Sequence, residues 1–258
     1  MTELVKKKRK VLVGSPSYNG CIDVWYANSL MQTIKIAEKR DIEIVPMWVS
    51  FDALIQRARN DTIAIAIEQE CDDLIWIDTD IEWEPEWFFK LLDYSFDVVG
   101  GTYPKKGEKE QYVLSMGPYP NIINSDGLIQ VAGLGTGFLK FSRKACQWLW
   151  DNSAPYNEPE KDNSHKRWIF DVVVHGADLI SEDIWVCRRL TDEGGFSIYL
   201  DPTMTCAHFG GKKYKGNFLH WFTEKYKPKE EVVQLQPVKR ETKKLSGISY
   251  LDKYATGL

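Results

Sequence analysis

At 258 residues, 43% hydrophobic and 27% charged, the chain is long enough to bury a sizeable core and has an ordinary globular make-up. Its net charge of −4 excludes a global field that would draw it to nucleic acid or an anionic membrane. No apolar stretch is long enough for a membrane span or a signal-peptide core. The five cysteines, Cys21, Cys71, Cys146, Cys187 and Cys206, are scattered without CxxC spacing, which points to reduced thiols in a cytoplasmic setting.

The run KKKRK, Lys6 to Lys10, reads as a solvated lead-in to a first strand at residues 11–14. The turn formers SPSYNG at 15–20 follow, then a predicted helix over 24–39 and a strand at IEIVPMWV, 42–49. Residues 51–70 carry helical periodicity without glycine or proline. LIWI, 74–77, is a short buried strand, Pro85 suits the first turn of another helix, and DVVGG, 97–101, is a fourth strand. This alternation predicts an α/β fold with a parallel sheet and helices on both faces. Chemistry on such a sheet gathers at the carboxyl ends of the strands, where loop 15–20, residues 78–80 and residues 102–106 fall.

Beyond Gly101 the pattern loosens into loops and short strands up to VAGLGTGFLKF, 131–141. A helix is predicted over 142–151, a polar loop over 152–166 and a further helix from SED at 181–183. Strands at 196–200 and 203–207 lead into HFGGKKYKG, 208–216. From Lys225 the chain is charged and without periodicity. That divides it into a domain over 1–224 and an arm over 225–258, the latter extended or partly disordered and available for self-association.

Four segments carry chemistry. Asp78 and Asp80 end the third strand one residue apart, and carboxylates that close repel unless something positive lies between them. Hard oxygen ligands there favour magnesium or manganese, whose shell substrate phosphates and water complete. Arg59 shares a helical stripe with Ile55 and Ile63, so its guanidinium needs an anion, either in a structural salt bridge or in a bound diphosphate, and Asn60 beside it can donate and accept. His208 is followed by Gly210 and Gly211, which let backbone approach a ligand, and by Lys212, Lys213 and Lys215, which supply charge for phosphates; the imidazole leans the metal toward manganese. Ser181 could cap a helix whose first turn holds Glu182 and Asp183, and one of these acids could instead serve as a base toward an acceptor hydroxyl. Glycine-rich AGLGTGF lacks the order and setting of a dinucleotide fingerprint. Ten tryptophans and twelve tyrosines add flat surface of the kind that sugar or base clefts use.

Together, SPSYNG, ARN, IDTD, VVGGTYPKK, LGTGFLKFSRKA, SEDIWVCRRL and HFGG with its following tyrosine and glycine resemble the GT-A glycosyltransferases, in that family's order and over residues 10–217. The resemblance implies a single GT-A domain with a mostly parallel, Rossmann-like sheet. It also implies metal-dependent transfer of a hexose from a nucleotide-sugar, UDP-linked more than GDP-linked, to a hydroxyl acceptor. It makes Asp80 the direct metal ligand, with His208 completing the protein's share and Asp78 nearer the ribose or a metal-bound water. Ser15, Pro16 and Tyr18 would lie against the base, and Arg59 and Asn60 near the diphosphate or donor sugar. Gly135, Thr136, Gly137 and Trp185 would line the sugar and acceptor side, with Glu182 and Asp183 as the family's xED acids. Two other readings stand beside it. One is a nucleotide- or carbohydrate-binding protein without chemistry. The other is a phosphotransferase of the haloacid dehalogenase type, against which Ile81 and Glu82 follow Asp80 and the motif sits mid-chain.

Overall fold

The computed structural model describes residues 7–157 and 166–227. Lys6, most of the polar loop and all but the first three residues of the predicted arm lie outside the described residues.

β1 (Arg9–Ser17) is longer than the sequence suggests, since it continues through Ser15, Pro16 and Ser17 while pairing in parallel with β2 (Ile42–Ser50). Between them α1 (Val24–Ala37) starts where the Asp23 carboxylate accepts the Trp25 N–H at 2.8 Å, which caps an otherwise orphan donor. The next helix begins later than predicted. Phe51 takes a left-handed φ of 61°, Asp52 Oδ1 accepts the Leu54 N–H at 2.9 Å, and only then does α2 (Ile55–Glu68) form.

β3 (Asp73–Trp76) is fully buried and pairs in parallel with β1. The short β4 (Ile81–Glu82), α3 (Pro85–Asp93) with proline in its first turn, and β5 (Val98–Thr102) follow. Then come β6 (Leu114–Ser115), β7 (Ile129–Val131), β8 (Gly133–Leu134), β9 (Leu139–Ser142) and α4 (Arg143–Asp151), which Ser142 caps through the Ala145 N–H.

The hairpin β10 (Val173–His175) and β11 (Asp178–Ile180) leads into α5 (Glu182–Arg188) and a π-helical turn over Arg189–Glu193. The two late strands predicted at 196–200 and 203–207 are one, β12 (Ile198–Thr205), running through Pro202. β13 (Ala207–Phe209) and β14 (Lys213–Tyr214) follow. α6 (Phe218–Lys225) was not anticipated, and it extends the folded part through Lys225, the first residue assigned to the arm.

The central sheet has seven strands in the order β2-β1-β3-β9-β5-β12-β7. It is mostly parallel, as the alternation predicts, with two strands reversed: β9 lies antiparallel between β3 and β5, which are therefore not neighbours, and β7 pairs antiparallel with β12 at the edge. Alternation along the strands separates two cores. Val11, Val13, Ile75, Ile77 and Val99 face α1 and α3, where Tyr26, Leu30, Phe88 and Leu91 meet them. Leu12, Leu74, Trp76 and Val98 face the opposite way, onto Ile63 and Ala66 of α2, Cys146 and Leu149 of α4, and Phe218 of α6. Each such aromatic or aliphatic side chain fully removed from water contributes about 1.5–3 kcal/mol, so these layers hold the strand ends in fixed register. Gly14 is required by that packing, because a Cβ there would lie 2.5 Å from Thr62 Cγ2 of α2.

Candidate active site

The carboxyl ends of β1 and β3 open onto a cleft of about 680 Å3. Its lining includes Pro16, Tyr18, Cys21 and Asp23 from the loop after β1, Ile55 and Arg59 of α2, Asp78, Thr79 and Asp80 after β3, and Lys106 and His208. The backbone fixes the acids. The Ile77 N–H donates to Gly14, and the chain then turns through a bond from the Ile81 N–H to the Asp78 carbonyl at 3.1 Å.

His208 comes from far along the sequence but is held by register. β13 pairs antiparallel with β4 so that His208 lies opposite Ile81, and the Phe209 N–H donates to the Asp80 carbonyl at 2.8 Å. Nδ1 of His208 bonds the Pro104 carbonyl at 2.8 Å. A carbonyl only accepts, so Nδ1 carries a proton. Nε2 sits 3.5 Å from Asp80 Oδ2, where it either carries a second proton or offers a lone pair to a cation shared with that carboxylate.

This pairing fits a divalent ion: one hard oxygen and one oriented imidazole nitrogen. Among the described residues no group of three or more histidine, cysteine, aspartate or glutamate side chains converges to hold a metal, so a ligand would have to supply much of the shell. The Lys106 ammonium is ion-paired to the same Oδ2. Burial pushes the Asp80 carboxyl up, but its contacts with His208 and Lys106 outweigh that and hold it below the usual range.

Asp78 behaves oppositely. Removal from water raises its pKa, and the charges of Asp80 and Asp183 add to the rise against the pull of Arg59. Arg59, 5% exposed, reaches Asp78 Oδ1 at 3.4 Å and is ion-paired to Glu182. Burial lowers its pKa, yet Asp78, Glu182 and Asp183 outweigh that and raise it, so the guanidinium stays charged. Its ion pairs are made with the very acids that the sequence singles out, and it also lines the cleft. Its Nε is buried without a partner among the described residues.

The other predicted residues divide. Pro16 and Tyr18 line the cleft, whereas Ser15 is fully buried beneath it, its hydroxyl 2.6 Å from Tyr26 Oη, so it cannot lie against a bound base. Burial raises the Tyr26 phenol to about 12, which keeps it a neutral partner for Ser15. Asn60 is 1% exposed and faces the protein. Its Oδ1 accepts the N–H groups of Ile169 and Phe170 at 3.1 and 2.9 Å, clamping that segment onto α2, while its Nδ2 has no partner among the described residues.

Gly135, Thr136 and Gly137 are buried, and the glycines serve Tyr103. A Cβ at Gly135 would stand 2.4 Å from the Tyr103 hydroxyl, and one at Gly137 2.5 Å from its ring. The Gly137 N–H donates to that hydroxyl at 3.1 Å, and Thr136 Oγ1 is buried without a partner. Glu182 enters the site through Arg59. Asp183 does not receive the cap expected of Ser181; instead the Ser181 hydroxyl and the Ile184 N–H both donate to its Oδ1. Trp185 is half-buried on α5 and does not line the cleft.

Lys212 and Lys215 are not brought to the acids. Lys212 lies over the Tyr214 ring, and Lys215 lines a smaller cavity of about 220 Å3 with Glu82, Trp83 and Trp87. The lysine that reaches the acids is Lys106. Its signal was present in VVGGTYPKK, at the predicted ligand-binding edge. Tyr103 was missed as well: it packs edge-on to His208 at 5.0 Å, and burial followed by the charges of Asp78 and Asp183 pushes its phenol well above the usual range.

No family model matches the chain, and no curated protein is similar to it in sequence. Among solved structures it is similar in fold to A197 from STIV, with a TM-score of 0.50 and 18% identity over 81% of this chain and 94% of that one. A glycosyltransferase involved in the glycosylation of the major capsid of PBCV-1 aligns at a TM-score of 0.32 and 13% identity, over 58% of this chain and 71% of that one. The first likeness speaks to fold alone, and the second is too slight to bear on this protein. No helix among the described residues is long and apolar enough to cross a membrane, and all five cysteines are free thiols.

Proposed function

We propose that this protein is a GT-A glycosyltransferase that moves a hexose from a nucleotide diphosphate sugar to a hydroxyl acceptor, with manganese or magnesium held by Asp80 and His208. The preference for a UDP over a GDP donor rests on the family resemblance. One observation carries the reading: a cleft at the carboxyl ends of β1 and β3 sets an imidazole nitrogen against the Asp80 carboxylate, beside further acids. When bound, the divalent ion would offset the charge that develops on the departing diphosphate. The chain's own residues do the rest. Pro16 and Tyr18 offer a wall for the base, and Arg59 stays charged and fixed, holding Asp78 and Glu182 in place. Asp183 keeps Oδ2 without a hydrogen bond among the described residues, which suits it to accept a proton from the attacking hydroxyl or to grip one.

Isothermal titration of UDP and GDP in the presence and absence of manganese tests the reading. Asp80→Ala should abolish the metal-dependent part of nucleotide binding, and unchanged affinity would refute its role. Asp183→Asn should depress turnover of a UDP-sugar more than donor affinity; nucleotide binding without any transfer or hydrolysis across a panel of sugar donors would favour a binding protein instead.

A further inference from the structure

Asp80 already has a cation. Lys106 stands at the neck of the loop 105–111, which the Lys105 N–H closes by donating to the Gln111 carbonyl at 2.7 Å, next to a bridge between Pro104 and Tyr112. From that neck its side chain reaches Asp80, and its stem runs along Gly210. A Cβ at Gly210 would lie 3.1 Å from Lys106 Cδ and 3.4 Å from Cε, so the glycine leaves room for the lysine's path. The ammonium ends on Asp80 Oδ2, the oxygen that also faces His208 Nε2. An ammonium and a divalent ion on one carboxylate oxygen would stand within a few ångströms of each other, and their repulsion sets them in competition for it.

The pair is also easily exchanged. The Lys106 side chain is 40% exposed and that of Asp80 35%, and ion pairs so open to water are worth little. Four flexible carbons give the ammonium reach, and any diphosphate bound at Asp80 would be the nearest new anion.

We propose that Lys106 is the cleft's resident cation, which competes with a divalent ion for Asp80 and passes to the diphosphate of the ligand when that ion takes its place. The competition rests on the ion pair and on the pairing of Asp80 with His208 Nε2 that would hold the metal; the transfer to a diphosphate rests further on the glycosyltransferase reading.

The experiment compares the wild-type chain with Lys106→Met, which keeps the stem and removes the charge, and with Lys106→Arg. Manganese binding without nucleotide, followed by electron paramagnetic resonance, should be several-fold tighter in Lys106→Met than in the wild type and restored to the wild-type value in Lys106→Arg. UDP binding at saturating manganese should weaken about tenfold in Lys106→Met, the worth of one charge-assisted hydrogen bond. Manganese affinity that is unchanged, weaker or absent in Lys106→Met, in protein with an unaltered melting temperature, overturns the competition. Tighter manganese with unchanged UDP affinity overturns the transfer to diphosphate. A wild type that takes up manganese but no UDP refutes the glycosyltransferase reading and the diphosphate step together, while the metal measurement still decides the competition.

Discussion

The two ends of the same strands carry charge in opposite ways. At the amino ends of β1 and β3, Arg9 Nε donates to Asp73 at 2.7 Å and its Nη1 to the Leu92 carbonyl at 2.8 Å. Nearby, Asp97 accepts from the Ser142 hydroxyl at 2.6 Å and from Lys144 at 3.3 Å. Each acid there has its cation and its hydrogen bonds, so the cluster closes on itself and fastens β1, β3 and β9.

At the carboxyl ends Asp78, Asp80, Glu182 and Asp183 gather around one buried guanidinium and one exposed ammonium. The acids outnumber their fixed partners, the pKa of Asp78 is driven up and that of Asp80 down, and Arg59 Nε has no acceptor. Matched charge staples a fold. Unmatched charge held in place by a packed core marks a candidate functional site.

The largest test of this contrast is Arg59→Met. It leaves Asp78 and Glu182 without their shared buried cation, and loss of one member of a buried pair costs about 3–5 kcal/mol. Urea unfolding should register a fall of that size, and a loss below about 1 kcal/mol would mean that water already screens the pair.

Arg9→Met at the other end should cost about 1 kcal/mol, since Arg9 is 38% exposed in its side chain and water can take over part of its bonding. A larger loss than at Arg59 would reverse the comparison.

The smallest effect is one of sign. Asp78 has a raised folded-state pKa, so its contribution to stability is present in full below the unfolded value and lost as pH rises through the folded one. The wild type should therefore lose stability relative to Asp78→Asn as pH climbs from 4 toward neutrality. For Asp201, whose pKa is lowered because bonds from Lys90, Thr203 and Tyr94 outweigh its burial, the sign is opposite: its contribution is present above the unfolded value and is lost as pH falls toward the folded one. Urea midpoints of Asp78→Asn and Asp201→Asn against pH would expose both slopes, and parallel slopes would rule out the assigned shifts.

Much of the first half of the molecule was legible because its signals are local. Short apolar runs marked β1, β2 and β3, Pro85 marked a helix start, and the pattern of Asp78 and Asp80 after LIWI placed acids at the ligand-binding edge of the sheet. Helical spacing also placed Arg59 on a buried stripe, and its burial beside Ile63 agrees.

What local pattern cannot encode is which distant segments meet. Ser15 and Asn60 look like ligand-binding residues in one dimension, and only the packing of Tyr26 and of Ile169 and Phe170 against them turns their polar atoms inward. Three lysines follow His208 in sequence, but antiparallel pairing of β13 and β14 carries Lys212 and Lys215 away, while a separate loop delivers Lys106.

Local pattern was enough for the alternating strands and helices of the first half, for the carboxyl-edge location of Asp78 and Asp80, and for the burial of Arg59, since each follows from periodicity or from the chemistry of a side chain. Folding in three dimensions settled the antiparallel entry of β9, the partners of the charges around the cleft and the cation that sits on Asp80. Those charge partners lie 19 to 123 positions apart in the chain, and no short-range rule contains such contacts.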